Sequence, residues 1–269
     1  MQASFINKEF PRIGIVGGGQ LGKMLCLEAK KMGLQVTVLD PTPKCPASTV
    51  SDEQIIAGFK DEEAIRKLAE KSDFITFEIE LANSKVLKEL QEKGCVVNPS
   101  PETLQVIQSK LRQKQFLEKN NLPVPKFFEV KTPQELKERL DEFGNHAMLK
   151  LSQDSYDGRG NFELNAESNL EEVFKKIEGK EAFIEEWIDF EKEISVMVAR
   201  NSSGEIAAYP VSENILPLLC HKHKHYPIAS SINIFRAYAI QFTHTIVSPI
   251  APLQSGALLR CARYEIEKS

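Results

Sequence analysis

The chain opens on an apolar run rich in β-branched residues, Arg12 to Val16 (RIGIV), which stops at Gly17-Gly18-Gly19 and passes into a segment whose apolar positions Leu21, Met24, Leu25 and Met32 recur at helical spacing. The pattern predicts a strand, a glycine turn and a helix. Gly33 stands where a helix C-cap belongs, and Leu34 to Leu39 (LQVTVL) reads as a second strand ending at Asp40-Pro41. The alternation continues with a strand at 54–57, a helix at 61–71, a strand at 74–77, a helix at 83–93 and a strand at 95–97. Strands alternating with helices through right-handed crossovers predict an α/β fold with a parallel, doubly wound sheet.

Pro99-Ser100-Pro101 punctuates this pattern, and the following 102–120 stretch reads as one helix by period and propensity. A domain boundary is expected there, giving a first domain over 1–103 and a second portion over 104–215. In the second, 124–130 is extended, and Thr132-Pro133-Gln134-Glu135 supplies an N-cap, a first-turn proline and a capping-box glutamate for a helix to about Phe143. Strands at 146–151 and 162–164 flank a glycine-bearing turn at 155–161, and Ser168-x-x-Glu171 opens a helix to Ile177. Strands at 182–187, 193–199 and 207–211 complete an α+β module. The tail, 216–269, alternates poorly and supports no fold assignment.

Composition narrows the class. The chain has 269 residues, of which 42% are hydrophobic and 27% charged, the balance of a globular protein with one or two cores rather than of a disordered or collagen-like chain. A net charge of -4 leaves no footprint for nucleic acid or an anionic membrane surface. No apolar run approaches the roughly 20 residues that span a bilayer, and the N-terminal stretch lacks the layout of a signal peptide, so a cytoplasmic location is expected. Five scattered cysteines without a CxxC pair argue against a disulfide framework or structural zinc. The tail differs in kind: only Glu265 and Glu267 of the 38 acidic residues lie beyond residue 215, whereas four of the five histidines do. His221, His223 and His225 alternate as strand ligands of a metal would, but read more simply as a basic run.

Three constellations carry candidate chemistry. Gly17-x-Gly19-x-x-Gly22, between a strand and a helix and with Asp40 ending the next strand, satisfies the dinucleotide fingerprint, so an NAD-dependent oxidoreductase is one reading. Glycines and a helix N-terminus serve any phosphate, and a tight turn is the bland alternative. The second is Lys150 followed by Ser155-Tyr156-Asp157-Gly158-Arg159-Gly160-Asn161, a cation beside a glycine turn able to fold over a polyphosphate, or else a hairpin. Lys110 could reach the same phosphates, though an isolated helical lysine is ordinarily a solvated one. The third is Glu185-Glu186-Trp187-Ile188 with Glu193, a strand end that could present an acceptor and an N–H to an adenine edge and a carboxylate to ribose hydroxyls, against the ordinary reading as surface. Glu78 and Glu80 end a parallel strand at its carboxyl edge, where open α/β sheets bind ligands.

The segments GGGQLG (17–22), LDP (39–41), FEIE (77–80), KQF (114–116), YDGRG (156–160), EISV (193–196) and YPVSEN (209–214) occur in this order in the N5-carboxyaminoimidazole ribonucleotide synthetases, and residues 10 to 215 resemble that ATP-grasp family. The ordered set displaces the NAD reading. The resemblance implies a Rossmann-like pre-ATP-grasp domain followed by an incomplete α+β ATP-grasp module. It also implies ATP-dependent carboxylation of 5-aminoimidazole ribonucleotide with bicarbonate, through carboxyphosphate, in purine biosynthesis.

Residue by residue, the resemblance implies Lys110 and Lys150 on ATP phosphates and the loop Ser155 to Asn161 over them. Glu185, Glu186, Trp187 and Ile188 fall at the adenine edge and Glu193 on the ribose. Gly19, Gln20, Leu21, Glu78, Tyr156 and Arg159 are implied ribonucleotide contacts. Magnesium as a companion of ATP and a homodimer are further family expectations. Asp154-Ser155 replaces glycines that usually precede the Tyr-Asp-Gly motif. From Leu216-Pro217 the resemblance stops, and the family's magnesium-holding Asn-Glu pair and Arg-x-His-Asn-Ser-Gly-His segment are not found in 216–269. A truncated or frameshifted product, whose chemistry left with its C-terminal lobe, is the expectation for that tail, with a divergent natural ending as the alternative.

Overall fold

The computed structural model describes residues 10–153, 160–177, 179–190, 194–200 and 204–213. Residues Ser155, Tyr156, Asp157, Gly158 and Arg159, expected to fold over a polyphosphate, together with Glu193 and the tail 216–269, lie outside the described residues. Of the described residues, 10–105, 197–200 and 204–210 belong to one compact unit, and 106–196 and 211–213 to a second.

In the first unit five strands, β1 (Arg12–Val16), β2 (Gln35–Leu39), β3 (Glu53–Ile55), β4 (Phe74–Phe77) and β5 (Val96–Val97), form a parallel sheet in the order β3-β2-β1-β4-β5. Strands β1 and β2 are near-continuous apolar runs because crossover helices cover the sheet: Ile13, Ile15, Val16, Val36, Val38 and Leu39 are all buried. The crossovers are α1 (Gln20–Lys31), α2 (Glu62–Glu70) and α3 (Ser84–Glu92), which bring Leu25, Leu68 and Leu87 into the same core. Local chemistry sets the helix starts. Asp61 accepts a hydrogen bond from the Ala64 N–H at 2.9 Å, and Asn83 one from the Val86 N–H at 3.2 Å, each satisfying an amide that the first turn leaves open.

The expected single helix over 102–120 is instead two, α4 (Pro101–Ile107) and α5 (Lys110–Lys119). Ser109 breaks it. Its side chain caps α5 by accepting from the Arg112 N–H at 3.2 Å and lies 2.7 Å from the Ser152 hydroxyl, while the Lys110 N–H donates to the Ser152 carbonyl at 2.8 Å. Partners 43 residues away thus override the helical period.

The second unit carries an antiparallel sheet in the order β6-β9-β7-β8, made of β6 (Phe127–Val130), β7 (His146–Leu151), β8 (Asn161–Asn165) and β9 (Ala182–Glu186). One face is covered by α6 (Pro133–Glu142) and α7 (Leu170–Ile177), with Val130, Leu136, Leu140, Ala147, Leu149, Leu164 and Ile184 in the core. Thr132 caps α6, accepting from the Glu135 N–H at 3.1 Å. The expected Ser168 cap of α7 is not used as such. Asn169 accepts from the Glu172 N–H at 3.2 Å, and the Ser168 hydroxyl turns back to Asn165. The expected strand over 193–199 is divided into β10 (Ile194–Ser195), paired with β13 (Ser212–Glu213), and β11 (Val198–Arg200), paired with β12 (Ile206–Ala208). Among the described residues no helix is long and apolar enough to cross a membrane.

Candidate functional site

In the first unit the glycine turn joins β1 to α1 at the carboxyl edge of the sheet. Gly17 has φ +106°, a left-handed conformation that glycine adopts without a Cβ penalty, and a Cβ there would come within 2.6 Å of Glu78 Oε1. Asp40 is buried, its two oxygens accepting the Gly18 N–H and the Thr42 N–H, each at 2.8 Å. The carboxylate that ends the second strand thus holds the glycine loop in place. Glu78, from the end of β4, accepts a hydrogen bond from the Gly19 N–H. Two amides of the loop, those of Gly18 and Gly19, are thus answered by carboxylates. Gln20 and Leu21 are exposed at the start of α1.

Burial raises the Glu78 carboxyl above its ordinary value; the Gly19 N–H pulls it down, and the charges of Asp40 and Glu80 push it up again. A carboxyl with a raised folded pKa contributes most below the unfolded value of 4.5 and loses that contribution as pH rises through the folded value. Glu78→Gln, which keeps an acceptor for Gly19 and removes the charge, is accordingly expected to raise stability at neutral pH. Thermal melts of the two proteins from pH 4 to 8 check this, and curves that stay superimposed up to pH 8 would refute it.

In the second unit, residues on the sheet face opposite the helices form the other site. Strand alternation and register put Lys150, Met148, Asn161, Phe183, Glu185 and Phe127 on this face: Lys150 pairs with Phe183 and Asn161, and Glu185 with Met148 and Phe127. Helix α5 delivers Lys114 to it. Lys114 Nζ lies 2.6 Å from Glu185 Oε2, and the Lys150 ammonium pairs with Glu185 Oε1. All three side chains are buried, with Lys114 at 4%, Lys150 at 2% and Glu185 at 4% of full exposure, so these are charges held out of water.

Two cations share one anion, which fixes the direction of both shifts. Burial alone would raise the Glu185 carboxyl, but the charges of Lys114 and Lys150 and their hydrogen bonds outweigh it and hold it below its ordinary value. Burial lowers Lys114, and the single shared carboxylate does not fully offset that and the repulsion of Lys150. Two buried polar atoms without a hydrogen-bond partner lie next to the triad in sequence or register. Gln113 Nε2 precedes Lys114 on α5, and Asn161 Oδ1 faces Lys150 across β7 and β8. An ionic group of two cations and one anion, with the open acceptor of Asn161 in register beside Lys150, suits an anionic ligand that also carries polar heteroatoms.

The structure therefore brings Lys150, Asn161 and Glu185 together. Glu186, next on the strand, faces the other side, and its carboxylate accepts the Lys126 N–H at 3.1 Å. Trp187 stacks on His146 with ring centres 4.3 Å apart, and Ile188 is exposed at the strand's end. Lys110 is half-buried at the first position of α5, and Gly160 (φ +81°) leads into β8. Sequence reasoning missed Lys114 and Gln113 as site residues. The available signal was that Lys110, Gln113, Lys114 and Leu117 share the i, i+3, i+4, i+7 stripe on which an amphipathic helix carries its buried side chains.

Comparisons with known proteins agree with this architecture. Residues 10–108 match the ribonucleotide synthetase preATP-grasp domain, and residues 115–229 match the ATP-grasp domain. The chain is 39% identical over 203 residues to the N5-carboxyaminoimidazole ribonucleotide synthase of Bacillus subtilis, a match covering 76% of this chain and 53% of that protein. The crystal structure of the Thermotoga maritima N5-carboxyaminoimidazole ribonucleotide synthetase superposes with a TM-score of 0.67 at 48% identity, covering 76% of this chain and 53% of that one. That of the Aspergillus clavatus enzyme, in complex with ADP and 5-aminoimidazole ribonucleotide, gives a TM-score of 0.71 at 27% identity, covering 89% and 64%. This chain spans about half the length of the curated relatives it matches.

Proposed function

The chain belongs to the N5-carboxyaminoimidazole ribonucleotide synthetase family, and from that membership we propose that it serves the ATP-dependent carboxylation of 5-aminoimidazole ribonucleotide with bicarbonate. In that reaction ATP phosphorylates bicarbonate, and the resulting carboxyphosphate delivers carbon dioxide to the N5 amine, leaving ADP and phosphate. The observation that carries the reading is the buried Lys114–Glu185–Lys150 triad, two cations on one carboxylate, with Asn161 in register with Lys150. The Aspergillus clavatus relative, a complex with ADP and 5-aminoimidazole ribonucleotide, supports the choice of both ligands.

The residue roles are those that the family resemblance implies, and the chemistry suits them. Lys150 and Lys110 neutralise phosphate oxygens, since phosphoryl transfer needs positioning and charge compensation more than covalent help. Glu185 accepts a hydrogen bond from the adenine amine, the backbone at Ile188 completes the adenine edge, and Glu193 takes the ribose hydroxyls. Residues 155–161 close over the phosphates and exclude water. Glu78, Tyr156 and Arg159, with the Gly19-Gln20-Leu21 turn, are assigned to the ribonucleotide. The loop's occupied amides favour a neutral polar part of that substrate over its phosphate at Gly18 and Gly19. Magnesium is the family's companion of ATP; among the described residues no group of three or more His, Cys, Asp or Glu side chains comes together to hold a metal.

The test is ADP release by the full chain with magnesium ATP and bicarbonate, with and without 5-aminoimidazole ribonucleotide. Ribonucleotide-dependent release is the expected result. ADP binding without turnover would reduce the chain to a nucleotide-binding protein of this family, and failure of folded protein to bind ADP would remove the reading.

A further inference from the structure

Glu185 is ion-paired with two lysines. Its oxygens are divided between them: Oε1 goes to Lys150 on the neighbouring strand and Oε2 to Lys114 on α5, at 2.6 Å. The two lysines are not equivalent. Lys150 stands on β7, in register with Asn161 of β8. Lys114 is held from behind. Helix α5 is pinned to the end of β7 through Ser109 and Ser152, and the Lys114 ammonium lies 5.8 Å from the centre of the Phe127 ring, Phe127 being the residue opposite Glu185 in the sheet.

We infer that Lys114 is a positioning residue of this site, remaining as the counter-ion of Glu185 when Lys150 is drawn onto the phosphates of an adenine nucleotide. The inference rests on the nucleotide reading above. Its physical basis is that a buried carboxylate stripped of its only cation is strongly disfavoured. With Lys150 as sole partner, engaging a phosphate would mean abandoning Glu185, and the pair would stay closed on itself. With Lys114 on Oε2, Glu185 remains ionised and aimed at the adenine amine while Lys150 turns to the phosphate, and the triad keeps one positive charge in excess for an anion. Phe127 and the capped start of α5 keep Lys114 from following Lys150.

Calorimetric titration of the full-length chain with ADP and with adenosine separates this from simple packing. Lys114→Met is expected to weaken ADP roughly tenfold to a hundredfold and adenosine less than about threefold, because only the phosphate contact of Lys150 is lost. Lys114→Arg, which restores the cation, is expected to bring ADP back to within about fivefold of the wild type. Equal losses for ADP and adenosine, or no loss of ADP affinity, would overturn the inference and leave Lys114 a packing residue. If Lys114→Met does not fold, Lys114→Gln, uncharged but still a hydrogen-bond donor, makes the same comparison. Wild-type protein that binds neither ligand would overturn the nucleotide reading and the inference together, whereas wild type that binds ADP beside an unaffected variant overturns the role of Lys114 alone.

Discussion

Truncating Glu185 to alanine is expected to cost about 3–5 kcal/mol of stability, because it leaves two buried ammonium groups facing each other without an anion. Lys114 and Lys150 are each at least 96% removed from solvent, so neither can recover its hydration without opening the fold. Trp187, the one tryptophan of the chain, stands two residues beyond Glu185 and reports unfolding of this unit through its emission in urea. The triple variant Lys114→Met, Glu185→Leu, Lys150→Met provides the contrast. It removes all three charges at similar volume and is expected to lie within about 2 kcal/mol of the wild type, since a buried ionic group contributes little net stability once its desolvation is counted. Equal stability of the alanine variant and the wild type would sink the argument.

The pH dependence has a definite sign. The Glu185 carboxyl is held below its ordinary value of 4.5, so its contribution is present above that value and is lost as pH falls through the folded one. The gap between wild type and alanine variant should therefore narrow in acid. Lys114 is shifted down as well, so alkaline solution, which discharges the buried amine before the unfolded one, should partly rescue the variant.

What could be read from sequence divides along the range of the interactions involved. The β1–turn–α1 unit and the caps Asp61, Asn83 and Thr132 are set by residues three or four positions apart, and a one-dimensional pattern carries them. The break between α4 and α5 is not such a case. Ser109 looks like an ordinary polar residue inside a helical stretch, and only Ser152, on another element, makes it a cap. The glycine turn shows the same limit in the site. Its spacing announces a close backbone approach, but the groups that come close are Asp40 and Glu78 from the ends of two other strands, and they take the amides that an isolated motif assigns to a phosphate. Glu185 and Lys150 could be named from the resemblance, whereas their mutual pairing and the arrival of Lys114 needed the sheet register and the docking of α5.

Gly22→Ala is expected to destabilise the first unit by about 2 kcal/mol, against what helix propensity alone would say. Gly22 lies inside α1, where alanine in place of glycine ordinarily gains about 1 kcal/mol. Here an added Cβ would stand 2.4 Å from the Gly17 carbonyl oxygen and 3.1 Å from its carbon, a backbone obstacle that no side-chain rotation removes. The turn has little room to yield. The Gly17 N–H is bonded to the Leu39 carbonyl at 2.8 Å, the Gly18 N–H to Asp40, and the Gly18 carbonyl to the Ala47 N–H at 2.9 Å, so moving Gly17 loosens the junction of β1, β2 and the Pro46–Thr49 turn together. Overpacking of about 3 kcal/mol then exceeds the propensity gain. Gly33 offers the comparison: its φ of +77° resists alanine, but nothing lies within 4 Å of the added Cβ, and a cost of about 1 kcal/mol is expected there. Urea unfolding of both variants, followed by far-ultraviolet circular dichroism, gives the order directly. A Gly22→Ala protein as stable as the wild type would mean that the helix can tilt away from the turn, and that the third glycine of the fingerprint is not required for close packing.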